Sequence, residues 1–200
     1  MVEDLVVGDL IKTVEGRYEP VIWIGSRRVI PMFQIKKDKA YPVRIVKDAF
    51  GEGLPSADLW LSPDHSLYVD GVMIPADKLI NGKTIYQEQW AQVTYFHVEL
   101  PKHEAIYAEG LPAETYLDTS ETNRAFFNQN QGDIKVFGAS EQMPAPKDVP
   151  LWRHIWDTQG YGKLHTSGPV VEQVQARLSA RADALIADAE QVKDGALIAA

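Results

Sequence analysis

The chain has 200 residues, of which 45% are apolar, a formal charge of -8 and no cysteine. That length and apolar content suit one packed domain with an appendage and argue against wholesale disorder. The longest basic runs are Arg27-Arg28 and Lys36-Lys37, so no nucleic-acid partner is expected, and disulfides, thiolate metal sites and a cysteine nucleophile are excluded within these residues.

The chain opens on Met1-Val2-Glu3-Asp4, which has neither the basic nor the apolar region of a signal peptide. No apolar run is long enough to span a bilayer, so no membrane span is expected. A cytoplasmic location is the default expectation, with a place inside a longer secreted chain left open.

Turn residues then divide the first two-thirds into short strands. Strands are predicted at 5–12, 19–24, 29–35, 43–46, 59–61, 66–69, 72–74, 84–86, 93–100 and 105–108. Asp70-Gly71 between apolar arms predicts a tight hairpin, and Asn81-Gly82 a second tight turn. Residues 75–80 read as one helical turn. Many short strands at regular spacing indicate a mostly β architecture rather than a parallel α/β sheet.

The texture changes near Thr119. Residues 123–131 are rich in Asn and Gln, and Pro144, Pro146 and Pro150 mark a linker. Trp152, Ile155 and Trp156 are expected to pack that segment back onto the β body. After Gly168-Pro169, apolar residues Val171, Val174, Leu178, Leu185, Ala189 and Val192 recur at helical spacing, which predicts a helix ending at Gly195. Its apolar stripe suits docking on the domain or on a second copy of the chain. The expected layout is a β domain over 1–140, a Pro/Gly-rich linker and packing segment over 141–168, and a helix over 169–194.

Chemistry concentrates at Ser62-Pro63-Asp64-His65. A histidine can move a proton near neutral pH, and a hydroxyl three residues earlier can orient a reacting amide if Pro63-Asp64 makes a turn. Taken alone, the residues fit a turn histidine bonded to a backbone carbonyl better than a catalytic one. His97 and His103 lie in "VTYFHVELPKHEAIYAEG", too far apart for a one-helix zinc signature. A three-histidine metal hydrolase built from His65, His97 and His103 stays open, because ligands need only meet in space. There is no Gly-x-Ser-x-Gly elbow and no glycine-rich phosphate cradle.

Three stretches, in order, resemble the Hint (hedgehog/intein) domain family. "VEDLVVGDLIKT" at 2–13 resembles that family's Val-x-Asp-Leu-x-x-Gly-Asp strand segment. "LSPDHSLYVDG" resembles its Thr-x-x-His block, with Ser62 in the Thr place and His65 in the His place. The later block is matched by Tyr95, His103, Ala108 and Gly110. The stretch through "GLPAETYLDT" is similar to a bacterial, hedgehog-like branch, and the resemblance covers about residues 2–127.

The resemblance implies a Hint-type fold followed by the C-terminal helix. It also implies an autoproteolytic N–S or N–O acyl shift whose substrate is the chain's own N-terminal flanking polypeptide. His65 would serve the scissile amide as proton donor or polariser, Ser62 would orient it, and His103 would either assist later steps or serve structure. No cofactor or metal is implied. The family's nucleophile lies ahead of the strand segment, so the chain as given is expected to be inactive in the first shift. The place after Gly110 reads Leu-Pro-Ala-Glu-Thr, with no Asn to cyclise, which favours cleavage over splicing. A degenerate Hint fold kept as an interaction or display module, self-associating through the C-terminal helix, is the alternative from a different class. Asp64 is expected to cap or turn, His97 to be a sheet histidine, and His154 and His165 to be structural or surface residues.

Overall fold

Turn chemistry sets the strand lengths in the computed structural model, which describes residues 1–119, 124–128, 133–137 and 148–198. The strands in chain order are β1 (Leu10–Lys12), β2 (Tyr18–Pro20), β3 (Trp23–Val29), β4 (Val43–Ile45), β5 (Leu59–Leu61), β6 (Ser66–Val69) and β7 (Val72–Pro75). They continue as β8 (Ile85–Gln87), β9 (Val93–Glu99), β10 (Ala105–Ala108), β11 (Leu111–Glu114), β12 (Arg124–Asn128) and β13 (Asp133–Phe137). Two helices follow, α1 (Leu151–Gln159) and α2 (Pro169–Ile198).

The strands pair antiparallel in small sheets ordered β1-β2, β10-β11-β6-β7, β13-β12-β3-β9 and β5-β4-β8. The predicted hairpin forms between β6 and β7, with Val69 opposite Val72. Asp70 and Gly71 have φ of 51° and 83°. Both central residues therefore take the positive φ that a type I′ turn requires. At the second turn the Asn81 side-chain oxygen accepts N–H bonds from Lys83, Thr84 and Ile85. Residues 76–79 form the expected single helical turn, a 3₁₀ turn at Ala76–Leu79.

Two predicted strands depart from expectation. The run at 5–12 becomes a strand only from Leu10, because Val2–Asp4 is a 3₁₀ turn and the Asp9 carboxylate accepts the Val6 N–H at 2.9 Å. The run at 29–35 is not a strand: β3 comes in from Trp23 and ends at Val29, and Pro31 then opens a 3₁₀ turn at Pro31–Phe33 and brings no N–H to a ladder.

The main core lies between β4, β6, β7, β8 and the first half of α2. Val43, Ile45, Leu67, Ile74, Leu79 and Ile85 meet Val171, Val174 and Leu178 there, all buried. Burial of this kind stabilises by roughly 1.5–3 kcal/mol per large side chain. Polar ties fix the helix on the body. Asn81 donates to the Leu178 carbonyl, Gln175 to that of Lys78 and Arg181 to that of Asp48. α2 runs three residues beyond Gly195, since one interior glycine costs only about 1 kcal/mol relative to alanine.

Part of the expected linker is helical. α1 buries Ile155 and Trp156, and the segment after it lays a bridge along β7, with Met73 bonded to Lys163 and His165 through the backbone. Within the Asn/Gln-rich stretch, residues 124–128 form β12, whereas Pro144 and Pro146 lie outside the described residues.

Candidate functional site

Ser62-Pro63-Asp64-His65 forms a turn between β5 and β6, closed by the His65 N–H on the Ser62 carbonyl at 3.0 Å. The 3₁₀ turn after β7 staples it. Ala76 N–H donates to the His65 carbonyl and Asp77 N–H to the Pro63 carbonyl, both at 2.9 Å. Lys39 Nζ bridges Asp64 at 2.7 Å and Asp77 at 2.6 Å. Asp64 therefore acts in an ion-pair bridge beneath the turn, and the backbone of His65 is held on both sides.

The turn opens on a cavity of about 500 Å³. Val2, Ser62, His65, His97, Glu114 and Trp156 are among the residues that line it. The residue at the start of the chain and the turn histidine thus face one space.

Two histidines and one carboxyl group at this site have displaced acidities. Desolvation drives the His65 pKa down to about 4, opposed by a hydrogen bond to the Glu114 backbone. At neutral pH its imidazole is uncharged, with one ring nitrogen committed to that backbone contact and the other an acceptor. His65 keeps part of its surface open to the cavity.

His103 is also pushed down to about 4, first by burial, with a lesser contribution from nearby His65, against a raising backbone bond to Thr115. Its surroundings differ from those of His65. The Tyr161 N–H donates to Nδ1 at 2.9 Å, and Nε2 lies 3.1 Å from the Thr115 carbonyl. Those partners assign a neutral ring with its proton on Nε2. Trp156 packs edge-on against the ring at 5.2 Å. His103 lines a neighbouring, more polar cavity with Glu99, Glu104 and Leu151.

Glu114 stands between the two histidines at the end of β11. One carboxyl oxygen accepts the Ser66 N–H at 2.7 Å. The other, Oε2, is buried without a hydrogen-bond partner, 3.8 Å from His103 Nε2. Burial pushes its pKa up to about 8, against the lowering bonds from Ser66. At neutral pH Glu114 is therefore mostly a neutral acid carrying an O–H beside an uncharged His103, and the two do not form an ion pair.

The structure gathers Ser62 and His65 on one cavity and sets His103 behind Glu114. His97, on β9 opposite Gly25, lines the same cavity as His65 and packs edge-on against Tyr116 at 5.4 Å. Among the described residues no group of three His, Cys, Asp or Glu side chains is arranged to hold a metal ion. The sequence reading missed Glu114. Its one local signal is the lone acid of Leu111-Pro112-Ala113-Glu114, where Leu111 and Ala113 alternate into the core.

A sequence model of the Hint domain matches residues 1–120. Among solved structures, one titled "Crystal structure of MchDnaB-1 intein" is similar at a TM-score of 0.37 and 15% identity, over 56% of this chain and 87% of that one. No curated protein matches.

Proposed function

Because the chain belongs to the Hint domain family, whose members are related to self-processing domains, we propose that this cavity is the site of an N–S or N–O acyl shift. The shift acts on the polypeptide running into the cavity ahead of Val2. The observation that carries this reading is the shared lining: Val2, Ser62 and His65 face one space.

A thiol or hydroxyl placed before Val2 attacks the carbonyl carbon of its preceding residue. The amide C–N bond breaks, a thioester or ester forms, and the nucleophile's proton ends on the freed nitrogen. Neutral His65 takes that proton, and its low folded pKa makes the resulting imidazolium a strong acid toward the leaving nitrogen. The Ser62 hydroxyl orients the amide. Glu114, neutral and with its O–H unpaired, supplies a hydrogen-bond donor for charge developing nearby. His103 acts as a positioning residue that holds β11 and Glu114. The bacterial hedgehog-like branch, suggested by the block from Tyr95 to Thr119, fits cleavage rather than ligation.

A folded reporter joined ahead of Val2 through a segment ending in Cys tests the reading. Thiol-dependent release of the reporter, lost in His65→Ala, is the expected result. A folded fusion that releases nothing under added thiol overturns it.

A further inference from the structure

The loop between β3 and β4 carries a feature that the cavity does not explain. Ile35 is fully exposed, and Phe33 and Met32 are 74% and 62% exposed, with Ile30 beside them. Apolar residues scattered singly on a surface need no explanation, but four within six positions do. The loop is not slack. Two 3₁₀ turns, Pro31–Phe33 and Lys37–Lys39, shape it, and Pro31 and Ala40 root it in the body. Tyr95 Oη donates to the Ala40 carbonyl at 2.8 Å, and the Gln87 side-chain amide donates to the Asp38 carbonyl at 2.6 Å. The apolar side chains are thus presented outward by a braced scaffold.

The same segment, residues 27–39, holds Arg27, Arg28, Lys36, Lys37 and Lys39 against one acid, Asp38. In a chain of charge -8, this leaves the remainder more acidic still. Lys39 is committed to Asp64 and Asp77 and Arg28 to Gln92, whereas Arg27, Lys36 and Lys37 form no ion pair among the described residues.

We propose that residues 27–39 form a docking surface for an anionic lipid bilayer, with Met32, Phe33 and Ile35 entering the headgroup region and the flanking cations meeting lipid phosphate and carboxylate groups. Apolar tips bordered by Lys and Arg are the pattern of interfacial membrane binding, in which long basic side chains reach back to the headgroups. Lysine is depleted at the centre of protein–protein contacts, which disfavours a protein partner. A second copy docking through the same patch would set like charges face to face. This surface stands independently of the reaction assigned to the cavity.

Co-sedimentation of the full chain with large vesicles tests it, using phosphatidylcholine alone and phosphatidylcholine mixed with phosphatidylserine. Expected is binding to the anionic vesicles at low salt, weaker by roughly tenfold or more on neutral vesicles and at raised salt. Lys36→Glu with Lys37→Glu, and separately Met32→Ser with Phe33→Ser, each lower binding by about tenfold or more. Because all four side chains are exposed, circular dichroism of the variants should match that of the parent. No sedimentation with anionic vesicles at low salt overturns the proposal, as does binding that ignores the Met32/Phe33 pair. So does a lipid-free dimer that this pair dissociates while vesicle binding stays absent.

Discussion

Two corners of this molecule hold a histidine whose pKa desolvation has driven to about 4, one half-buried and one buried, and they serve it differently. At the β5–β6 corner, His65 rests on a stapled turn and keeps surface open to the cavity. In the loop ahead of β10, His103 has both ring nitrogens engaged by backbone groups and Trp156 edge-on against its ring. A displaced acidity therefore marks burial in both places, while access to the cavity separates the two rings, and under the proposed reaction only the open one exchanges a proton.

The largest test of that contrast is a pair of substitutions in a chain carrying a Cys-ended lead ahead of Val2. His65→Ala should lower thiol-dependent cleavage by about 100-fold or more, with a smaller change in the urea midpoint than at His103, since a single ring contact, to the Glu114 backbone, is lost. His103→Ala should do the reverse. The Tyr161 N–H and Thr115 carbonyl lose their partner and a void opens beside Trp156, for a stability loss of about 2–4 kcal/mol. Cleavage per folded molecule should fall less than roughly tenfold. Equal effects in both assays would erase the distinction.

Helix docking gives an effect of similar size. Leu178→Ala, at a site 1% exposed in the main core, should cost about 2–5 kcal/mol in equilibrium unfolding.

The pH dependence of stability is the next largest effect, and its sign follows from the three groups. Each histidine binds a proton more readily unfolded, at the ordinary 6.5, than folded, at about 4. Their contribution is complete above about pH 6.5 and is lost as pH falls toward 4. Glu114 runs the other way: its folded value of about 8 exceeds the ordinary 4.5, so its contribution is lost as pH rises through 8. Urea midpoints measured across pH should therefore peak near 6.5. In Glu114→Gln the alkaline decline between 6.5 and 8 should flatten.

The smallest effect is expected at Asp64→Asn. It weakens an exposed contact with Lys39 and should cost under about 1 kcal/mol, because Asp77 still pairs with the same lysine.

What could be read in advance was local. Asp70-Gly71 and Asn81-Gly82 announce their turns because few residues accept positive φ. The turn at Ser62–His65 follows from Pro63-Asp64, and the stripe Val171, Val174, Leu178 announces a docked helix. The helical state of 151–159 was not legible, although the packing of Ile155 and Trp156 was. Proline just before it and tryptophans within it read as linker until Met73 and His103 provide a surface. Glu114 was hidden for a related reason. Its acidity depends on Ser66, 48 residues away, and on the burial that β6 and β11 create together. Periodicity carries no trace of that meeting.

The placement of α2 also bears on where this protein can be cut. The family match ends at residue 120, yet Val171, Val174, Leu178 and Ala182 are buried, the first three of them in the same core as Val43 and Ile85. The inherited segment and the cooperative segment therefore have different ends. A fragment stopping at 120 would leave Leu79 and Asn81 facing water and should bind hydrophobic dyes and resist crystallisation, whereas one reaching beyond Ala182 should melt in a single transition. Sequence kinship draws one border on this chain, and thermodynamics draws another some sixty residues downstream.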